Sequence, residues 1–311
     1  MDFKMFIRSL FICIISTVHI SAMAQLFELR DESGKIGYLF GSLHGAIAKI
    51  NVQSKSIAPL IEKSKIVAFE TIGGIPLQIR KNKLALQDGK SLFETVPADI
   101  FICTLSAYKN MQNGNKDSDE IRTLLKLHPM LFAFSYYGYT IDKLDKLDKL
   151  DKAIHSDNYD RLIYNLANFY KKSIANIESI DEKVMIVNKF DRQDAFEIIK
   201  NLCMVNESDQ KIYDFTKLQS TIVQSYLLND MDKLVETHID MYKFLGVQDD
   251  FIDIFWTQRN LTMAKKIIGL IANDHHPFVA IGASHLGGAD GLLSLMAKRG
   301  VSSLPLPIDK K

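Results

Sequence analysis

The sequence predicts an α/β protein in which both ends of the chain form a β-sheet frame around a large, mostly helical insertion. Two observations indicate this architecture. Short apolar runs typical of strands occur within residues 26–70 and again within 277–283. Between them, from about residue 91 to 271, apolar residues recur at the three- and four-residue spacing of amphipathic helices. Strands that alternate with helices are typical of an α/β layer.

The N-terminal frame begins with two strand-like runs, LFELRD and IGYLFGS, separated by ESGK as a hairpin turn. SKSIAPLIEKS then predicts a helix with Leu60 and Ile61 turned inward, and KIVAFE predicts a buried strand that ends on Glu70. In the insertion, the long segment TIVQSYLLNDMDKLVETHIDMYKFL has a helical pattern. We expect strand character to return only at PFVAIGA, followed by a last helix over about 290–299.

Residues 1–24 have the layout of a secretory signal. Lys4 and Arg8 precede an apolar stretch over about 10–18, and Ala22-Met23-Ala24 supplies the small residues of a cleavage site. The apolar stretch is too short to span a bilayer as a stable helix, although an uncleaved anchor is the alternative. The prediction is therefore cleavage after Ala24 and an exported protein, periplasmic or secreted, with no stable membrane anchor afterwards.

The net charge argues against a nucleic-acid partner, and the cysteine content allows one disulfide. Two of the 38 basic and one of the 37 acidic residues lie in 1–24, which leaves 36 of each sign and a net charge near zero. No basic field would attract nucleic acid. Cys13 leaves with the signal. In an oxidising compartment Cys103 and Cys203 could form a disulfide, and two buried thiols are equally compatible with the sequence.

The repeat DKLDKLDKLDK at 142–152 is the most regular local pattern of the chain. Its Asp-to-Lys pairs four residues apart suit an exposed helix. Since a period of three drifts around a helix, its leucines cannot form one apolar stripe. We interpret the repeat as a solvated helical face or an ordered linker.

Three residues follow predicted strands directly: His44 after YLFGS, Glu70 at the end of KIVAFE, and His285 after FVAIGA. Ligands of open α/β sheets bind beyond the carboxyl ends of the strands. If the three strands are parallel neighbours, two imidazoles and a carboxylate converge there. That set suits a divalent metal such as Zn, Mn or Co, which would activate a water molecule as a nucleophile.

Each histidine belongs to a Gly-x-x-His motif, GSLH and GASH, although a single such motif is weak and a lone strand-tip histidine is more often structural. GGAD after His285 predicts a helix start that Asp290 caps and that faces the same crevice. Several familiar sites are absent from the sequence: HExxH, GxSxG at GASHL, GxGxxG and GxxxxGK[ST].

The motifs YLFGSLH, IVAFE, QRNLTMAKKI and AIGASHLGGADGLLSLMAKRG, in this order, resemble the TraB/GumN family, which includes the Tiki metalloproteases. The resemblance covers both ends of the chain after residue 24. It implies an EreA/ChaN-like α/β fold and, for some members, metal-dependent peptidase activity that uses the two motif histidines and the glutamate. Carried over by motif, these are His44, His285 and Glu70.

The family's Arg-Asn pair corresponds to Arg259 and Asn260, which the resemblance implies as residues that orient a substrate or ligand. Where the family commonly has a second acidic residue after the glutamate, this chain reads Glu70-Thr71-Ile72, which puts a second metal or an extra ligand in doubt. The expectation is a metal-dependent hydrolase with a Mn, Co or Zn cofactor and a peptide or protein substrate. The alternatives are a non-catalytic binder of a peptide, signal or haem, and a metal-independent esterase.

Overall fold

The computed structural model describes residues 25–43, 54–72, 75–86, 89–114, 118–146 and 159–307. Within these ranges the chain forms one mixed sheet in the order β4-β3-β5-β2-β1-β6. Its six strands are β1 (Leu26–Arg30), β2 (Ile36–Ser42), β3 (Ile66–Phe69), β4 (Ser173–Asn176), β5 (Pro277–Gly282) and β6 (Ser302–Leu306). The predicted α/β class is confirmed.

β5 occupies the centre of the sheet and organises it. It runs parallel to β2 on one side and to β3 on the other, with Ser42 opposite Gly282 and Phe69 opposite Ala280. All six residues of β5 are buried, as is usual for a parallel strand covered on both faces. The carboxyl ends of β2, β5 and β3 therefore meet at one edge, as predicted for the strands that precede the candidate site residues.

The expectation that strand character returns only at PFVAIGA is wrong, since β4 forms within the insertion. β4 pairs with β3 in parallel and is four residues long, with exposed Ser173 and Asn176 at its ends. That length and polarity left no apolar run to detect. β6 was also not predicted. It pairs with β1 at the opposite edge, and it contains Pro305, which an edge strand tolerates.

β1 and β2 form the predicted hairpin, with Leu26 opposite Phe40 and Arg30 opposite Ile36. The turn is closed by the Asp31 carboxylate, which accepts hydrogen bonds from the Ser33 hydroxyl (2.8 Å) and the Lys35 amide (2.8 Å). Short polar side chains that bond nearby backbone groups favour such turns.

Helices cover the sheet and make up most of the insertion. Among the described residues the α-helices are α1 (Ser54–Lys63), α2 (Leu77–Lys83), α3 (Leu92–Thr95), α4 (Phe101–Gly114), α5 (Ser118–Leu124), α6 (Pro129–Lys146), α7 (Tyr159–Phe169), α8 (Ile180–Lys189), α9 (Arg192–Glu207), α10 (Asp209–Leu228), α11 (Met231–Phe244), α12 (Asp249–Ile252), α13 (Gln258–Ala272) and α14 (Leu292–Ala297). A π-helical turn, Asp253–Thr257, joins α12 to α13, and a 3₁₀ turn, Ala283–His285, follows β5.

The long helical pattern that ends near Leu245 is divided into α10 and α11. Asn229 adopts a left-handed conformation (φ 56°) and ends α10, and the Asp230 side chain caps α11 by accepting from the Lys233 amide. Asparagine tolerates this conformation better than most residues, so the break has a local cause. In the same insertion, Cys103 on α4 and Cys203 on α9 form a disulfide.

Three predictions fall wholly or partly outside the described residues. They concern the signal over 1–24, the position of His44, and the part of the DKL repeat from residue 147 onward. The beginning of the repeat continues α6 to Lys146. None of the helices in the described ranges combines the length and apolar character needed to cross a bilayer.

Candidate functional site

Glu70 lies directly after β3 and is anchored to β5. Its amide donates to the Ala280 carbonyl (2.9 Å), which extends the β3–β5 ladder by one residue. Its carboxylate Oε2 accepts from the Gly282 amide (3.1 Å), and its side chain is 17% exposed. The strand pairing therefore places a carboxylate at the tip of the central strand, three residues before His285.

Arg259 joins Glu70 to a second acidic residue, Glu178. Arg259 Nη2 donates to Glu70 Oε1 (2.5 Å), while Nε and Nη2 donate to the two Glu178 oxygens, each over 2.7 Å. The Arg259 and Glu178 side chains are only 7% and 3% exposed. The Glu178–Arg259 contact is bidentate, the strong and directional form of this ion pair. Arg259 is thus a fixed bridge between two carboxylates, not a mobile surface cation.

Glu178 reaches this position because it follows β4. Its amide donates to the Glu70 carbonyl (2.9 Å), so the parallel β3–β4 pairing continues past the strands and carries both glutamates to the same edge. Burial alone would lower the pKa of Arg259, but the hydrogen bonds and charges of Glu178 and Glu70 raise it. Burial lowers the pKa of the nearby Lys183 amine, and the negative charges of Glu70 and Glu178 partly oppose that shift.

His285 is 3% exposed and is held by Asn260, on the first turn of α13. Its Nδ1 lies 2.6 Å from Asn260 Oδ1, and Asn260 Nδ2 donates to the Asp290 carbonyl (2.8 Å). The second bond fixes the amide so that Oδ1 faces the histidine. Because Oδ1 only accepts, Nδ1 carries the proton, and the neutral ring has its lone pair on Nε2. In this tautomer Nε2 is the nitrogen with the chemistry of a base or a metal ligand.

The predicted helix start after GGAD differs from the structure. α14 begins at Leu292 with Gly291 at its N-cap, so the expected cap by the Asp290 side chain is wrong. The backbone carbonyl of Asp290 instead holds Asn260. Gly287 is required by close packing, since a Cβ there would lie 2.3 Å from the Met231 carbonyl at the start of α11.

His44 lies outside the described residues, so the structure does not test its expected place beside His285 and Glu70. β2 ends at Ser42, which is paired with Gly282 at the same edge as the other site residues, and Leu43 lines the cleft described below. Of the five predicted site residues, the structure brings four together: Glu70, Arg259, Asn260 and His285.

Two of the side chains at this site, His285 and Glu70, are of the types that bind a divalent metal. The Nδ1–H of His285 is bonded to an amide oxygen, as is usual for metal-ligating histidines, which leaves Nε2 as the ligand atom. Both Glu70 oxygens already accept a hydrogen bond, one from Arg259 and one from the Gly282 amide. In the described part of the chain, no group of three or more His, Cys, Asp or Glu side chains forms a metal cluster.

These residues border a cleft of about 240 Å³. Its lining combines the strand-tip residues with side chains from the helical insertion: Ser42, Leu43, Glu70, Tyr137, Ile141, Gln219, Ile222, His238, Tyr242, Phe255, Trp256, Arg259, Gly282, Ala283, Ser284 and His285. The π-helical turn contributes Phe255 and Trp256. Single π-helical turns are frequent at functional sites.

Sequence reasoning missed several residues of the cleft. Glu178 follows β4 with Ile177 between them, and this short strand with exposed ends gave no apolar run that could have identified it. His238 is half-buried on α11; its Nδ1 donates to the Leu234 carbonyl (2.9 Å), and burial lowers its pKa. Burial also raises the pKa of Tyr137 to about 12, against the hydrogen bond from Gln219. These residues lie on helices whose packing the pattern alone could not assign.

Fold and site together define an α/β protein with a buried carboxylate–arginine–carboxylate bridge and an oriented histidine at the tip of the central strand. The sequence profile of the TraB/PrgY/gumN family matches residues 26–303, nearly the whole chain. The chain belongs to this family, as its motifs indicated. No curated protein and no solved structure matches it.

Proposed function

We propose that the protein is an exported metal-dependent hydrolase, peptidase-like in its chemistry, with its site at the carboxyl edge of β2, β5 and β3. The observation that carries the proposal is the convergence of Glu70 and His285 on the end of β5. Glu70 Oε2 is bonded to the Gly282 amide, and His285 follows three residues later with its Nδ1 proton directed to Asn260. We also propose that the fold is EreA/ChaN-like, as the family resemblance implies.

The roles follow from the contacts. His285, through Nε2, and His44 would hold a Mn, Co or Zn ion, and Glu70 would complete the set or accept a proton from water. A divalent ion at this place would acidify water and polarise a substrate carbonyl. Arg259 keeps the Glu70 carboxylate in a fixed position, and Glu178 keeps Arg259 in turn. Asn260 holds the tautomer of His285 that leaves Nε2 free of a proton.

Export is supported by the disulfide between Cys103 and Cys203, because such bonds persist mainly in oxidising compartments. It is also supported by the signal-like order of residues 1–24 in the sequence.

A second candidate is a binding protein without catalysis. The observation in its favour is that each Glu70 oxygen is already engaged, one by Arg259 and one by the Gly282 amide. A ligand that uses the cleft without displacing these contacts would need neither metal nor turnover. The cleft volume of about 240 Å³ is below the ~300–1,000 Å³ of ordinary small-molecule pockets, which favours part of a peptide over a haem.

One experiment separates the two candidates. The purified protein is reconstituted with Mn, Co or Zn, its metal content is measured, and a diverse peptide library is incubated with it with and without chelator. A hydrolase binds about one ion and cleaves peptides only without chelator, and His285→Ala abolishes both properties. Absence of bound metal after reconstitution, or cleavage that survives chelation, would refute the proposal; the second result would favour an esterase-like acid–base mechanism.

A further inference from the structure

Part of the cleft wall is aromatic. Tyr137, Tyr242, Phe255 and Trp256 all line it. The ring centroids of Phe255 and Trp256 are 4.7 Å apart, those of Tyr242 and Trp256 5.2 Å, and those of Tyr137 and Tyr242 6.3 Å. These separations are those of interacting aromatic pairs, so the four rings form one continuous, rigid surface. We call these four side chains the aromatic wall.

Trp256 carries a hydrogen-bond donor that the described residues do not satisfy. The residue is 4% exposed, and its Nε1 has no hydrogen-bond partner among them. Buried polar groups are nearly always paired, and an unpaired one in a native structure calls for an explanation. Because Trp256 lines the cleft, an acceptor on a bound ligand is a candidate for the missing partner.

The charges of the lining indicate the kind of ligand. Among the described lining residues, the full charges are those of Glu70 and Arg259, which pair with each other. Arg259 also pairs with Glu178, and its guanidinium lies over the Phe255 ring, 5.1 Å from the centroid. The guanidinium is therefore already committed and offers little to an anionic ligand. An uncharged, apolar group with a neutral acceptor beside it fits this lining best.

We infer that the aromatic wall is a subsite for one bulky apolar side chain of a peptide segment, aromatic in preference, and that Trp256 Nε1 donates to a backbone carbonyl of that segment. The cleft volume of about 240 Å³ suits one such side chain with its flanking backbone. The inference rests on the proposed function for its use of a peptide. It requires neither metal nor turnover, so it can be tested separately.

The test uses the single tryptophan of the chain. In protein labelled with ¹⁵N-tryptophan, the indole N–H gives one NMR cross-peak, which reports on Trp256 alone. Blocked tripeptides, acetyl-Ala-X-Ala-amide with X as Phe, Leu, Gly, Asp or Lys, are titrated in the presence of chelator. We expect the indole proton resonance to move downfield on binding. The Phe peptide should bind more tightly than the Gly peptide by about tenfold or more, because an apolar pocket loses roughly that much affinity for each apolar group that the ligand lacks.

Variants separate the two parts of the subsite. Trp256→Phe keeps a ring and removes the donor, so it should weaken every peptide several-fold and preserve the order of preference. Tyr242→Leu should reduce the preference for Phe over Gly. Tyr213→Leu, at a tyrosine 60% exposed on α10 and outside the cleft, is the matched control and should change neither. Thermal unfolding of each variant checks that it is folded.

Equal affinity for all five peptides, a preference for the Asp or Lys peptide, or binding that leaves the indole signal unmoved would each overturn the inference. All of these readouts are collected with chelator present. A failure of the hydrolase proposal, seen as absence of metal or turnover, therefore leaves the binding result intact, and a failure of the subsite leaves the metal measurement intact.

Discussion

Asn260 accepts a hydrogen bond from Nδ1 of His285 over 2.6 Å, while its own amide nitrogen is held by the Asp290 carbonyl. The histidine at the end of the central strand is therefore oriented by a residue 25 positions earlier in the chain. The contact shows that Asn260 orients His285, which the Arg-Asn motif alone did not indicate. The first prediction follows from this contact.

Replacement of Asn260 should impair metal binding through His285. Asn260→Ala removes the acceptor of the Nδ1 proton, so the ring can change tautomer or rotate; loss of such a supporting bond typically costs about 10–100-fold in metal affinity or activity. Metal titration of wild type and variant measures it. Asn260→Asp retains an acceptor oxygen and should lose less affinity. Equal affinity in Asn260→Ala would show that the ring is held by other contacts.

Glu178→Gln should lower the free energy of unfolding by about 1.5–3 kcal/mol, since Arg259 keeps its ion pair with Glu70 but loses the bidentate, charge-assisted contact with Glu178. Both partners are less than a tenth exposed. Urea denaturation measures the change. The control is Glu236→Gln, which breaks an ion pair with Lys233 whose side chains are 62% and 45% exposed. It should change the free energy of unfolding much less, because solvent screens such a pair. Similar losses for the two variants would contradict a special role for the buried bridge.

His128 should make stability depend on pH. Burial, together with the nearby charge of Arg192, lowers the pKa of His128 from 6.5 to about 4, although Asp191 opposes the shift. Its Nδ1 accepts a hydrogen bond from the Met130 amide (3.3 Å) at the start of α6, which only an unprotonated nitrogen can do. The unfolded chain therefore binds the proton more readily than the folded one. The stabilisation is complete above pH 6.5 and is lost as the pH falls from there through about 4.

His128→Asn tests this effect, because asparagine also accepts a bond from a helix-start amide and does not titrate. Urea denaturation at about pH 7 and about pH 4.5 should show a larger loss for wild type than for the variant. Other groups titrate in both proteins and cancel in the comparison. Parallel pH profiles would mean that His128 is accessible to protons in the folded state.

Reduction of the disulfide between Cys103 and Cys203 should lower the free energy of unfolding by about 2–4 kcal/mol. The bond closes a loop with a sequence separation of 100, which restricts the unfolded chain strongly in the chain-entropy account. Guanidinium denaturation with and without dithiothreitol measures it. The double variant Cys103→Ser/Cys203→Ser is the control and should not respond to the reductant.

The frame could be predicted where the physical signal is local. The runs that became β2, β3 and β5 are apolar and bounded by turn residues, and their tips identified Glu70 and His285. Glu178 could not be found in the same way, because β4 is stabilised by pairing with β3 and not by an apolar run of its own. The aromatic wall escaped prediction for a related reason. Its residues lie on three different parts of the insertion, and only tertiary packing brings them to the strand tips.

The central position of β5 has a consequence for how the sheet assembles during synthesis. β1–β2 and β3–β4 each pair within the earlier part of the chain, but β5 is the strand that joins them. Residue 276 has been synthesised before β5, the strand between the two half-sheets, begins at Pro277. Arg259, Asn260 and His285 also lie late in the sequence. A nascent chain thus carries Glu70 and Glu178 without an assembled site. The strand-tip site is therefore complete only after synthesis has passed His285.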